Sequence, residues 1–260
     1  MGAKVARETK VVRGIELRSD PAREACFEIV HLHQDVPDSG ALTEEARRQR
    51  VHREYNQEVQ TIEIAALCLV DFPDAPWELR MELARQCWDE ARHAEICFRR
   101  LKAMGGWKGM YPIANLDWSV VGMLDSLAAR LTVQNRTFEG GSLDIERGEI
   151  AMHLERGDHA TAEIVEAVGA DEIHHVRFAN QWLKRMTDAQ PRTVLEVAQA
   201  MAWLRQVVEA TGGESQHEIA TNVHDRELAG FSSTEISEVE RLAQSVVGPA
   251  ARGSVAERHE

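Results

Sequence analysis

The chain has no apolar run approaching the ~20 residues that a membrane-crossing helix requires. Its start, Met1 to Arg18, is charged and lacks an apolar stretch of secretory-signal type. These absences predict a soluble, cytoplasmic protein without membrane contact. Cysteine is scarce: Cys26, Cys68, Cys87 and Cys97 contain no Cys-x-x-Cys pair and are too few in 260 residues for a disulfide framework, so they read as small buried hydrophobes. Basic runs are missing too, and a formal charge of −13 works against nucleic-acid and anionic-membrane partners. Aromatics are few and β-branched runs bounded by turn residues are rare, whereas Ala, Leu, Glu and Arg abound. An all-α fold follows.

Residues 1 to about 42 read as irregular, with one candidate helix around Pro21 to Leu32 and a turn cluster at Val36-Pro37-Asp38-Ser39-Gly40. A first long helix starts at Thr43-Glu44-Glu45. It carries the stripe Val51, Tyr55, Glu58, Ile62, Ala65, Leu69 and ends at Asp71-Phe72-Pro73. A second opens at Pro76, runs through Leu83, Cys87, Glu90, Ala94, Cys97 and Leu101, and stops at Gly105-Gly106. Asp117 can cap a third, along Leu124, Ala128, Leu131 and Asn135 to Glu139, which Gly140-Gly141 then loosens or kinks. The fourth starts near Asp158 and shows Val165, Val168, Glu172, His175, Ala179 and Trp182 on one side.

A fifth helix spans 193 to 210 up to Gly212-Gly213, and Ser232-x-x-Glu235 is a capping box for a last one over 233 to 246. The short loop at Phe72 to Ala75 makes an antiparallel hairpin of helices one and two; three and four pair across a connection near 141 to 157. The expected division is an N-terminal extension (1–42), a four-helix bundle (43–190), C-terminal helices packed on it (191–247) and a disordered tail (248–260).

Carboxylates and imidazoles recur where core is expected. Glu90/His93 and Glu172/His175 each place a carboxylate and an imidazole one turn apart on one helix face. Alone the pattern is weak, since Glu28/His31 and Glu214/His217 also match it. Duplication supplies the context: Glu58 precedes Glu90 by 32 residues and Glu139 precedes Glu172 by 33, so the two hairpins look like copies. A dimetal-carboxylate bundle needs one Glu from each of two helices and one Glu-x-x-His from each of the other two.

Glu58 and Glu90 both lie roughly 20 Å from the same loop at helical rise, whereas the rival Glu63 is displaced by about 7 to 8 Å, which favours Glu58. Four carboxylates in a core demand cations or protons. Oxygen and imidazole donors suit two iron ions, or a manganese–iron pair, better than zinc. The expected metal-binding and catalytic set is Glu58, Glu90, His93, Glu139, Glu172 and His175.

The residues Asn56-Gln57-Glu58-Val59-Gln60-Thr61-Ile62-Glu63, Asp89-Glu90-Ala91-Arg92-His93, Phe138 to Asp144, Asp171-Glu172-Ile173-His174-His175-Val176, and Asn222 to Arg226 with Ala229-Gly230-Phe231 resemble an uncharacterised ferritin-like family, over about 50 to 231. Asn56 departs from it, standing where His is expected. The resemblance implies a ferritin-like fold and a dimetal site. In similar diiron bundles the aspartate before each ligand Glu bonds the opposite histidine, which predicts Asp89 with His175 and Asp171 with His93.

Other polar residues read more plainly. Tyr55, Cys87 and Cys97 are expected to be packing residues, His174 points about 100° away from its neighbour, and Glu166 belongs to a solvated face. The predicted activity is that of a diiron oxidase or oxygenase that uses O2 to hydroxylate, desaturate or N-oxygenate a small organic molecule, fed by an electron donor, in a monomer or homodimer. The alternatives are an iron-handling protein (ferroxidase or peroxide scavenger), a tRNA-modifying hydroxylase, which the −13 charge disfavours, and a metal-free interaction module.

Overall fold

Residues 7–32, 43–211 and 220–246 are described by a computed structural model; they are mostly helical, with short strands in 7–32 and near 113. The Val36 to Gly40 turn cluster, the Gly212-Gly213 helix end, the Glu214/His217 pair and the tail from 248 lie outside the described residues. None of the described helices is long and apolar enough to cross a membrane.

Helix α1 (Glu44–Asp71) begins where Thr43 Oγ1 accepts a bond from Ala46 N at 3.1 Å, with Glu44 and Glu45 at the positive end of the dipole. Helix α2 (Trp77–Ala103) ends as predicted at Gly105-Gly106. Gly106 N–H donates to Leu101 O and Gly105 N–H to Lys102 O, with Gly105 at φ 78°, which satisfies the last carbonyls. The short loop between them folds α2 back along the length of α1.

The third helix is not the continuous one expected from Asp117. It is built from α3 (Leu116–Val121), α4 (Leu127–Leu131), a π-helical segment (Thr132–Glu139) and α5 (Gly140–Glu155). Asn115, not Asp117, stands before α3; Asp117 is in its first turn. Ser126 Oγ caps α4 by accepting from Ala129 N at 3.1 Å. The fully buried Arg130 holds the break by donating to Leu124 O, while also pairing with Asp71 at the end of α1. Gly140-Gly141 do not end the helix: the departure from α geometry falls immediately before them and α5 continues to Glu155. The connection to α6 (His159–Ala189) is therefore Arg156–Asp158 rather than 141 to 157, with Asp158 capping Thr161 N.

The N-terminal region is more ordered than expected. Strands β1 (Thr9–Val12) and β2 (Ile15–Arg18) pair antiparallel across Arg13 and Gly14, both with positive φ (48° and 83°), the geometry of a two-residue hairpin turn. The predicted helix over Pro21 to Leu32 is absent. In its place β3 (Ile29–Val30) pairs in parallel with β4 (Ile113–Ala114), and Arg23 is drawn to Glu63 on α1 by two bonds of 2.6 and 2.8 Å. Tertiary partners here override the helical propensity of Ala, Glu and Arg.

Three apolar clusters enclose the helices. The first joins Leu17 and Val12 to Ile64, Val121, Val133 and Leu204 of α7 (Thr193–Thr211). The second fills the end near the α1–α2 loop with Leu79, Leu83, Leu131, Phe178 and Leu183. The third packs Leu143 and Val176 against Ala229, Phe231 and Ile236, carried by α8 (Val223–Leu228), the turn after it and α9 (Ser233–Val246). The Ser232–Glu235 capping box forms as predicted, Glu235 Oε2 accepting from Ser232 N at 2.8 Å. Cys68 and Cys97 are buried and Cys87 half-buried, but Cys26 is exposed and so is not the buried hydrophobe expected of it.

Candidate metal centre

Between the apolar clusters the inward faces of α1, α2, α6 and the π-helical segment turn polar. Glu58, Glu90, His93, Glu139, Glu172 and His175 are all at most 6% exposed, and they converge. Ligand-capable atoms of Glu58, Glu90, His93 and Glu172 lie within 4.8 Å of one another, as do those of Glu90, Glu139, Glu172 and His175. Glu90 and Glu172 belong to both groups, so they stand between two adjacent positions, each flanked by one further carboxylate and one imidazole. The sequence-predicted six are therefore brought together.

Both imidazoles have the same orientation. His93 Nδ1 faces inward, 3.0 Å from Glu90, 3.4 Å from Glu58 and 3.8 Å from Glu172. His175 Nδ1 lies 3.3 Å from Glu90 and 3.6 Å from Glu172. The Nε2 atoms point outward to aspartates, His93 to Asp171 at 3.2 Å and His175 to Asp89 at 3.4 Å, the crossed pairing expected from the resemblance. With Nε2–H donating to a carboxylate, the Nδ1 lone pair is left for the interior. Arg92 joins the two aspartates, at 2.6 Å from Asp89 and 2.8 Å from Asp171.

Glu139 sits in a cradle of amides. Gln86 Nε2 donates to its Oε1 at 2.6 Å, Gln134 Nε2 to the same oxygen at 3.3 Å, and Asn135 Nδ2 to Oε2 at 2.9 Å. The π-helical segment makes this possible: residues five apart, which an α-helix would separate by about 140°, fall near one face when the turn is wider. Gln134 and Glu139 are such a pair. Gln86, Gln134 and Arg92 were missed in the sequence; Gln86 lies one turn before Glu90 on the inward face of α2, and that polar residue on a buried face was the available signal.

The electrostatics of these side chains are unbalanced. Burial, with Glu90 adding repulsion, raises Glu58 well above the usual carboxylate range; burial and Glu172 do the same to Glu139, and burial and Glu90 raise Glu172. Burial works against a charged His93, yet Glu58 and Glu90 push it up to about 11; His175 is likewise raised, by Glu172 and Glu90. Burial would raise Glu90 too, but hydrogen bonds from His175 and His93 hold it below the usual carboxylate range. Three carboxylates and two imidazoles thus hold protons that divalent cations would replace. Two buried atoms in the centre, Glu172 Oε2 and His175 Nδ1, have no hydrogen-bond partner. The two atoms lie 3.6 Å apart inside the helical core, and a carboxylate oxygen and an imidazole nitrogen left facing each other without a hydrogen bond are what a metal-ligating pair presents, so the residues fit a metal.

Neighbouring residues take other roles. Glu63 is engaged by Arg23 and stands outside the cluster. Asn56 donates to Ala114 O at 3.1 Å and so anchors β4 to α1. Half-buried Tyr55 packs on Phe98, with ring centroids 5.4 Å apart. The Cys87 thiol lies 3.7 Å from Ile62 O. His174 is 2.9 Å from Glu82, outside the six, and Glu166 is exposed. One turn before Glu58, Glu54 shares a small cavity of about 40 Å³ with Glu149, Arg50, Cys97 and His153. Burial and Glu149 push Glu54 up to about 7.

Fold and site define a mostly helical protein with a buried carboxylate–histidine cluster able to hold metal. The chain belongs to a family described as "Protein of unknown function (DUF455)", whose model matches residues 3–237. No curated protein and no solved structure matches it.

Proposed function

We propose that the protein is a ferritin-like antiparallel four-helix bundle whose six convergent side chains bind two iron ions and use dioxygen to oxidise a small organic substrate. The observation that carries this reading is the pair of overlapping quartets sharing Glu90 and Glu172, with one histidine in each. When bound, iron supplies electrons to dioxygen, chemistry that no side chain of the centre can supply alone. The protein's part is positional. Asp89 and Asp171 fix the histidine tautomers, the amides around Glu139 hold that carboxylate in place, and the apolar clusters keep bulk water from the centre. Carboxylates rich in oxygen and only two imidazoles match iron, or a manganese–iron pair, more closely than the sulfur- and histidine-rich sites of zinc.

The test is anaerobic loading with Fe(II) followed by exposure to O2, monitored by absorption and Mössbauer spectroscopy. Two iron ions per chain with a coupled dinuclear signature are expected, and Glu90→Ala should lose it. Spectra from Glu90→Ala identical to wild type would overturn the assignment.

A further inference from the structure

Helix α2 has a second patterned face, opposite the one that carries Glu90 and His93. Trp77 (67% exposed), Met81 (43%), Ala84 and Trp88 (66%) follow one another at steps of four, three and four, and so form a single outward stripe. Tryptophan is among the costliest side chains to leave in water, and two of them on one face together with a methionine leave roughly 400 Å² of apolar surface uncovered. That is within the range of about 300–600 Å² of a monomer's largest apolar patch, which is often functional, and about half of the ~800 Å² that each partner contributes to a standard interface.

We propose that this stripe is the core of a homodimer in which α2 packs antiparallel against α2 of a second copy. Spacing and charge both favour self-pairing. In a two-fold arrangement centred between Glu82 and Leu83, Trp77 of one copy meets Trp88 of the other and Met81 meets Ala84, so every large residue faces a complementary position. Glu78 and Arg85 flank the stripe on the same side and are both exposed, Arg85 also pairing with Asp89 of its own chain at 3.2 Å while about half of its side chain stays in solvent. The antiparallel arrangement sets Glu78 against Arg85 of the second copy, twice. A parallel arrangement would instead bring Arg80 to Arg85 of the second copy and repel. The inference does not depend on metal in the centre.

Sedimentation equilibrium of the full chain over about 1 to 100 μM tests it. The expected result is a mass of twice the 29.2 kDa chain. Met81→Glu combined with Trp88→Glu should raise the dissociation constant by about 100-fold or more, and Glu78→Arg by about 10-fold. Circular dichroism of the separated chains should be unchanged, because these side chains lie on the outward face of α2 and away from its core contacts. A wild-type chain that remains monomeric throughout would assign the stripe to a different protein and overturn the proposal. So would a dimer that survives the double substitution.

Discussion

Asp171 on α6 holds the outer nitrogen of His93 on α2 at 3.2 Å, and Asp89 on α2 returns the contact to His175 on α6 at 3.4 Å. The two helices are thus crossed by a reciprocal pair, with Arg92 bridging both aspartates from the solvent side. Burial alone would raise both aspartates, but Arg92 and the partner histidines keep them below the usual carboxylate range, so they are anionic acceptors at neutral pH.

This pairing predicts the effect of removing its charge. Asp171→Asn should weaken metal affinity by about 10- to 100-fold, since the amide neither fixes the His93 tautomer nor raises its basicity as a carboxylate does. Chelator competition followed by metal analysis measures this. Glu166→Gln, which removes a carboxylate from an exposed position earlier on the same helix, is the control and should leave affinity unchanged.

Metal binding should release protons. Without cations the neighbouring carboxylates raise both His93 and His175 above the ordinary imidazole range, which favours the protonated rings, and a metal must displace those protons. Raised folded values stabilise the metal-free fold below the ordinary imidazole range, and this contribution fades as pH rises toward those raised values. Affinity for divalent cations therefore climbs with pH, with release of about two protons per chain or more. Calorimetry in two buffers of different ionisation enthalpy counts them; heats independent of buffer would contradict the proton competition.

A stability test lies away from the centre. Arg226 on α8 is buried, grips Asp144 on α5 at 2.7 and 2.9 Å, and lies 4.9 Å over the Phe231 ring. Arg226→Ala leaves half-buried Asp144 with the Asn222 N–H but no countercharge, and should cost about 1 to 3 kcal/mol in urea unfolding. Asp144→Asn in the same chain removes the lone charge while its amide oxygen can still accept from Asn222 N–H, and should recover part of that loss.

Much of this was legible in the sequence. The caps at Thr43, Asp158 and Ser232, the glycine stop at Gly105 and the 32- and 33-residue spacings rest on local chemistry that survives into the fold. They place the six polar residues at matching heights. What escaped depended on distant partners. β3 exists because Ile29 finds Ile113, and the break before α4 because Arg130 reaches both Leu124 and Asp71. The β1–β2 hairpin did have a local signal, Arg13-Gly14 between Val-rich and Ile/Leu flanks, which the overall helical composition obscured. The π-helical segment is set by the interior contacts of Gln134, Asn135 and Glu139, and regular helical periodicity cannot reveal it.

Gln86 separates the two halves of the centre experimentally. Its amide nitrogen donates to Glu139 at 2.6 Å and to Glu90 at 3.3 Å, and its oxygen accepts from Asn135 at 3.1 Å. Among the described residues no amide cradle holds Glu58; the nearest ring nitrogen to it is His93 Nδ1, at 3.4 Å. Gln86→Leu keeps volume but removes the shortest bond to Glu139 and leaves the Asn135 amide short of one acceptor, at a cost of about 1 to 3 kcal/mol. The loss should fall on the position flanked by Glu139 and His175, shifting metal content from two ions toward one per chain at limiting metal. Titration followed by metal analysis reads the ratio directly. Equal weakening of both positions would mean that Gln86 supports the bundle generally rather than the Glu139 half.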